Sequence, residues 1–228
     1  MEIEGKTLEL FGAENVGAPL VVLNTFRSEG GAVWRACRTA GCPPFTLATV
    51  GGIDWDADMS PWAIPPISPR DTPCTGGADA YLALLEGEIL PKAEARLESP
   101  PTFTAIAGYS LAGLFAVYSL YRTDRFARAA SASGSMWFPR FREYALAHGM
   151  ARRPEKLYFS LGDAEAKTSN RFLRTVQTDT EALVAHFRSL GIDTGWELNP
   201  GNHFQDGNLR TAKAIKSILQ PPAQGATR

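Results

Sequence analysis

The sequence predicts an α/β protein: a mostly parallel central sheet with helices on both faces. Strand-like and helix-like segments alternate from one end to the other, and the strand segments are largely apolar, as strands buried on both faces are. With 228 residues, 44% hydrophobic and 21% charged, the chain is long enough for one such domain with a proper core and short for two.

The elements follow in order. Lys6–Leu10 is the first β-type run, and Leu20-Val21-Val22-Leu23-Asn24 is the first core strand. A helix over Ala32–Ala40 leads to a strand at Phe45–Val50. A helical pattern over Ala78–Leu97 is expected to kink or break at Pro91, whose ring removes a hydrogen bond inside a helix. Next come strand Phe103–Ala107, helix Leu111–Arg122, strand Arg128–Ser133, helix Arg140–His148 and strand Leu157–Leu161. Over Asn170–Leu190, Phe172, Val176, Leu183, Phe187 and Leu190 recur near a helical period, and Gly191 ends the helix. Strand Gly195–Leu198 and helix Leu209–Leu219 complete a single domain over residues 1–219. Residues 220–228 carry Pro, Gly, Ala and Gln without periodicity and read as a disordered tail. Residues 51–77 are too long for an ordinary connection. Trp55 and Trp62 mark that Pro-rich loop as packed and functional, since disordered segments are poor in aromatics.

A net charge of −1 leaves no basic field for nucleic acid or an anionic membrane, and no apolar run approaches a membrane span. The start, Met1-Glu2-Ile3-Glu4-Gly5-Lys6, has no apolar core of a signal peptide, so a cytoplasmic protein is expected. Cys37, Cys42 and Cys74 form no CxxC pair and have no histidines nearby in sequence; neither zinc nor a disulfide scaffold is expected. No cofactor is implied. The three histidines, His148, His186 and His203, leave few candidates for any imidazole chemistry.

The sharpest local pattern is Thr102-Phe103-Thr104-Ala105-Ile106-Ala107-Gly108-Tyr109-Ser110-Leu111-Ala112-Gly113. A strand, a small residue, a serine two positions on, another small residue and an apolar helix make a nucleophile elbow, in which a sharp turn lifts the hydroxyl above the sheet edge. Gly108 meets the first small position, and Ala112 stands where glycine is usual at the second. A serine that only caps the helix is the plainer alternative. Chain order argues for chemistry, because the fold that uses this elbow places an acid after a later strand and a histidine after the last. Gly162-Asp163-Ala164-Glu165 follows strand Leu157–Leu161, and Asn199-Pro200-Gly201-Asn202-His203-Phe204 follows strand Gly195–Leu198. His148 and His186 sit within or at the end of helices and read as structural.

Two backbone donors are needed to hold a developing oxyanion. Leu111 N–H is the first. The second is placed at Phe26, in the turn after Leu20–Asn24, with the register open by a residue; Asn24 and Thr25 read equally well as strand-end caps. Trp55, Trp62 and Trp137, with Asp54 and Asp58, are candidates to wall a pocket over Ser110; that Trp55 and Trp62 simply cover the sheet edge is an equal and compatible reading. Arg27, Arg35 and Arg70 are candidates to hold an acidic substrate, although solvated surface arginines are commoner.

Gly108-Tyr109-Ser110-Leu111-Ala112-Gly113, Ser131-Ala132-Ser133-Gly134-Ser135-Met136-Trp137, Ser160-Leu161-Gly162-Asp163-Ala164-Glu165 and Asn199-Pro200-Gly201-Asn202-His203-Phe204 together resemble the putative esterase family, which includes esterase D, mycolyl transferases and bacterial siderophore esterases. The likeness runs from about Leu20 to Leu219 and leans to the siderophore-esterase branch. It implies an α/β-hydrolase fold and cleavage of a carboxylic ester, siderophore-like or small acyl/aryl, through an acyl-enzyme. Some members of that branch are Ser/His dyads, so the acid stays open: Glu165, on the third residue after the glycine closing its strand, is preferred to Asp163, and neither is the third option. An acyltransferase with the same residues and a non-catalytic binding module on the same fold are the rival readings. A small-molecule ester is the expected partner, and the sequence leaves the oligomeric state open.

Overall fold

The structure, a computed structural model, describes residues 1–223; residues 224–228, the end of the expected tail, lie outside the described residues. Its strands are β1 (Glu2–Ile3), β2 (Lys6–Phe11), β3 (Leu20–Asn24), β4 (Thr46–Gly51), β5 (Ala63–Ile64), β6 (Cys74–Thr75), β7 (Thr104–Tyr109), β8 (Arg128–Ala132), β9 (Lys156–Gly162) and β10 (Asp193–Asn199). The helices are α1 (Gly30–Thr39), α2 (Trp55–Asp58), α3 (Ala78–Leu84), α4 (Leu90–Glu94), α5 (Leu111–Ser119), α6 (Phe141–Ala147), α7 (Val176–Ser189) and α8 (Gly207–Leu219).

Eight strands form one sheet in the order β1-β2-β4-β3-β7-β8-β9-β10. β2 runs antiparallel to both β1 and β4, and every pairing from β4 to β10 is parallel. The central strands are apolar on both faces because both are covered. In β3, Leu20 and Val22 join one core while Val21 and Leu23 join the other; in β9, Leu157 and Phe159 oppose Tyr158 in the same way. The first core packs under α3, α4, α5 and α7, the second under α1 and α8. α5 is buried along its whole length, which suits a helix that is apolar all round.

The parallel register positions the site. Tyr109 pairs with Ala132, Ala132 with Ser160, and Gly162 with Asn199, so β7, β8, β9 and β10 end side by side and their outgoing loops share one sheet edge. That edge is where this architecture binds ligands.

Four expectations need adjusting. The helix at Ala78–Leu97 does not break at Pro91: a π turn over Leu85–Ile89, closed by Leu90 N–H on the Leu85 carbonyl, absorbs the misfit and Pro91 opens α4. The helix expected from Asn170 begins at Val176, after a 3₁₀ turn, because the Asn170 side chain accepts the Phe172 and Leu173 N–H groups instead. Residues 51–77 contain α2 and the β5–β6 ribbon. Residues 220–223 are held, with Gln220 and Pro221 carbonyls accepting from Arg128 and Lys156 and Ala223 N–H donating to Asp193. No helix among the described residues is long and apolar enough to cross a membrane.

Helix α7 ends as its glycine suggests. Gly191 (φ +71°) lets its own N–H reach the Arg188 carbonyl and the Ile192 N–H reach Phe187, the paired bonds of a left-handed helix stop. Gly191→Ala is therefore expected to lower the urea-unfolding free energy by about 1 kcal/mol while leaving activity unchanged, since an L-residue is strained at that φ.

Candidate active site

Ser110 stands between β7 and α5 with φ 59° and ψ −126°, a backbone region that costs an ordinary residue about 1–3 kcal/mol. The turn is fixed on every side. Ser110 N–H donates to the Ala132 carbonyl, and the Ser110 carbonyl accepts from Gly113, Leu114 and Ser135. A Cβ on Gly108 would lie 2.1 Å from the Ala112 carbonyl oxygen, so only glycine fits two residues before the serine. The usual second glycine has moved one place on. Ala112 is buried with its methyl accommodated, whereas a Cβ on Gly113 would meet the Ser131 hydroxyl at 2.8 Å. The Ser110 side chain makes no capping bond to its helix, which answers the capping alternative.

Its hydroxyl instead faces His203: Oγ lies 3.1 Å from Nε2. The other ring nitrogen, Nδ1, is 2.8 Å from Glu165 Oε2. With Nδ1–H bonded to a carboxylate, Nε2 is left as the acceptor aimed at the hydroxyl. The loop carrying His203 is pinned by the Tyr109 hydroxyl on the His203 carbonyl (2.6 Å) and by Gly201 N–H on Asp163 Oδ1 (2.9 Å). Burial pushes the Tyr109 phenol up, keeping it a neutral donor.

Of the two acids after β9, Glu165 meets the histidine and Asp163 holds the histidine's loop. The Glu165 side chain is only 4% exposed. Its Oε1 accepts from the Ser133 hydroxyl (2.7 Å), Gly162 N–H (2.5 Å) and Arg210 Nη1 (3.1 Å), leaving Oε2 for His203. Burial alone would raise its pKa. The hydrogen bonds from His203, the Gly162 amide and Ser133 outweigh that and hold the carboxyl below its ordinary value.

Leu111 opens α5, so its N–H has no acceptor within the helix and borders the cavity beside Ser110. The second expected donor differs. Phe26 N–H is taken by Glu29 Oε1 (3.0 Å) and Arg27 N–H by Glu29 Oε2 (2.6 Å), because an acid just before α1 folds back onto the amides of the turn. Asn24 and Thr25 serve the scaffold, accepting from Tyr81 and donating to Val50 respectively.

A cavity of about 530 Å³ opens over Ser110, walled by the rings of Phe26, Trp55, Trp137 and Phe204, with Arg70 and Asp56 on its polar side. Trp62 is not in it. Its indole N–H donates to the Pro139 carbonyl and its ring packs on Phe138 and Tyr144, a structural anchor. Asp54 caps α2 and Asp58 pairs with Lys6, so neither walls the pocket. Arg70 alone of the three arginine candidates lines the cavity; Arg27 lies over the Phe26 ring. His148 bonds the Tyr144 carbonyl and His186 packs beside Phe187, both away from the cavity. Among the described residues, no His, Cys, Asp and Glu group could hold a metal ion.

Sequence reasoning missed Ser133 and Arg210. The sign of Arg210 was available: with Ala214 and Ile218 it falls at four-residue spacing on the buried stripe of α8, where a charge is out of place.

Comparison with known proteins gives a consistent result. The family model described as "Putative esterase" matches residues 31–193, well over half the chain. An IroE-like serine hydrolase from Shewanella oneidensis superposes with a TM-score of 0.73 at 15% identity, covering 92% of this chain and 74% of that one. The siderophore hydrolase EstA from Aspergillus nidulans gives 0.69 at 18% identity, covering 94% and 89%. The enterobactin esterase FES from Shigella flexneri gives 0.67 at 19% identity; 94% of this chain spans 54% of that one. At such identities the likeness shows the fold, the α/β-hydrolase fold. No curated protein matches the chain by sequence.

Two outcomes follow from this geometry. Gly108→Ala is expected to lose about 1–3 kcal/mol or more in thermal or urea unfolding and to lose labelling by a fluorophosphonate, whereas Ala112→Gly should keep both within a few-fold. Because the folded chain holds Glu165 at a lowered pKa, that group's contribution to stability is full above its unfolded value of about 4.3 and is lost as pH falls through the folded value. The acid-side fall in unfolding midpoint should therefore be shallower in Glu165→Gln than in the parent.

Proposed function

The chain belongs to the putative esterase family and is a carboxylic ester hydrolase, and from that premise we propose that it works as a serine esterase through an acyl-enzyme on Ser110. The observation that carries the reading is the unbroken path from Ser110 Oγ to His203 Nε2 (3.1 Å) and from His203 Nδ1 to Glu165 Oε2 (2.8 Å).

Ser110 Oγ attacks the ester carbonyl carbon as its proton passes to His203 Nε2. Glu165 steadies the imidazolium that results. The new oxyanion faces the Leu111 N–H at the start of α5, where the helix dipole also favours negative charge. Phe26 N–H, the expected second donor, is held by Glu29 Oε1 at 3.0 Å. Collapse of the tetrahedral intermediate breaks the bond to the alcohol oxygen, which takes the proton from His203. Water then repeats the sequence on the acyl-enzyme and frees the acid.

The rings of Phe26, Trp55, Trp137 and Phe204 favour an ester with an aromatic portion, through offset or edge-to-face contact. Structural neighbours described as siderophore hydrolases support the same class, a siderophore-like or small aryl ester.

Ser110→Ala should lower turnover of a p-nitrophenyl ester by on the order of 10⁶ with an unchanged melting temperature. His203→Ala should be nearly as inactive, while His148→Ala and His186→Ala stay active. Glu165→Gln should cost far more turnover than Asp163→Asn, whose remaining oxygen can still accept Gly201 N–H. Two near-silent acid variants would instead leave a Ser/His dyad.

A further inference from the structure

Arg210 is a full positive charge placed where none is needed for packing. Its side chain is 2% exposed, on the face of α8 that otherwise buries Ala214, Ile215 and Ile218. Burying a guanidinium costs several kcal/mol unless its donors are engaged, and a buried ion pair is often no more stabilising than apolar residues of the same size. Stability is therefore a poor account of this arginine.

Its contacts supply a better one. Nη1 donates to Glu165 Oε1 and to the Ser133 hydroxyl, both at 3.1 Å, and Nη2 donates to the Pro200 carbonyl at 2.8 Å. Glu165 lies in the loop after β9, and Pro200 begins the loop after β10 that carries His203. One rigid, planar group thus touches the acid and the loop of the base at once, and its fixed geometry sets their separation. The junction has no slack: a Cβ on Gly162 would fall 2.2 Å from the Gly201 carbonyl oxygen and 2.9 Å from Arg210 Nη1.

We propose that Arg210 is a positioning residue for ester hydrolysis, a bridge between the acid loop and the histidine loop that holds Glu165 Oε2 on His203 Nδ1. Together with Ser133 and Gly162 N–H it saturates Oε1, so the carboxylate cannot rotate to offer its second oxygen elsewhere. Arg210 never touches the ester; it acts through Glu165. This rests on the serine-esterase reading above.

The test is a double-mutant cycle on the full-length chain, with kcat and KM measured on a p-nitrophenyl ester and melting temperature as a folding control. Arg210→Lys keeps the charge but loses the fork that spans both loops. It should lower kcat by roughly 10–100-fold with KM within a few-fold, the size usual for residues that orient a catalytic ligand. Ser133→Ala, which removes another donor to Oε1, should lower kcat in the same direction and serves if the lysine variant does not fold. The deciding measurement is the Glu165→Gln background. There neither substitution should lower kcat further, because the group they act through is already disabled. Unchanged kcat in both single variants, or losses that multiply in the Glu165→Gln background, would overturn the bridge. A simultaneously inactive Ser110→Ala would show that the serine reading survives that failure. An active Ser110→Ala would bring down both.

Discussion

The left-handed backbone at Ser110 is the constraint on which the rest of the site depends. Nothing in a serine favours φ 59°, and the conformation persists because the surrounding structure over-determines it. β7 lies at the centre of the sheet, α5 is buried from Leu111 to Ser119, and the turn joining them has no room to relax. The burial of nine consecutive helical residues offsets a strain of about 1–3 kcal/mol with a wide margin, at roughly 1.5–3 kcal/mol for each large apolar side chain. The requirement for bare glycine at Gly108 and Gly113 follows from the same crowding. What the strain achieves is a hydroxyl free of its own helix and aimed at His203: a serine in ordinary cap geometry would turn its oxygen onto that helix.

A second requirement is a carboxylate that stays ionised although buried. Desolvation works against Glu165, and the fold answers with four donors: His203, Gly162, Ser133 and Arg210. They divide between the two oxygens so that one holds the scaffold and the other holds the imidazole. Asp163, two residues earlier, does a different task with the same chemistry by accepting an amide of the histidine loop. Both acids organise His203, one through its ring and one through its backbone.

Much of this was legible in the sequence, and the reason lies in geometry. Parallel strands with aligned ends bring the residues just after them together, so the order Ser110, Glu165, His203 along the chain carries spatial meaning before any coordinates exist. The preference for Glu165 over Asp163 came from its place three residues after Gly162, and it is Glu165 whose carboxylate lies against His203. Other features were not. Arg210 shows as a charge on the buried stripe of α8, but its partners Glu165, Ser133 and Pro200 lie 45, 77 and 10 residues away, and the helical pattern does not encode them. The engagement of Phe26 N–H by Glu29 depends on a side-chain rotamer that periodicity does not encode. The π turn ahead of Pro91 was missed because a proline signals a break, and a helix can absorb that break by widening one turn.

The tryptophans of residues 51–77 show how a short chain builds a pocket wall. A loop facing solvent on one side and a cavity on the other loses its shape unless something fixes it, since ordering each residue costs roughly 1–2 kcal/mol of backbone entropy. Trp62 supplies the fixing: its N–H reaches Pro139 and its ring lies among Phe138, Phe141 and Tyr144. Lys6 secures the other end of the loop through Asp58 and the Gly52 carbonyl. With both anchors made, Trp55 is left to pair with Phe26 at 5.0 Å and face the space above Ser110. Two residues of one type, seven positions apart, thus divide into an anchor and a wall. The division follows from which of them meets α6 and which meets the outgoing turn of β3.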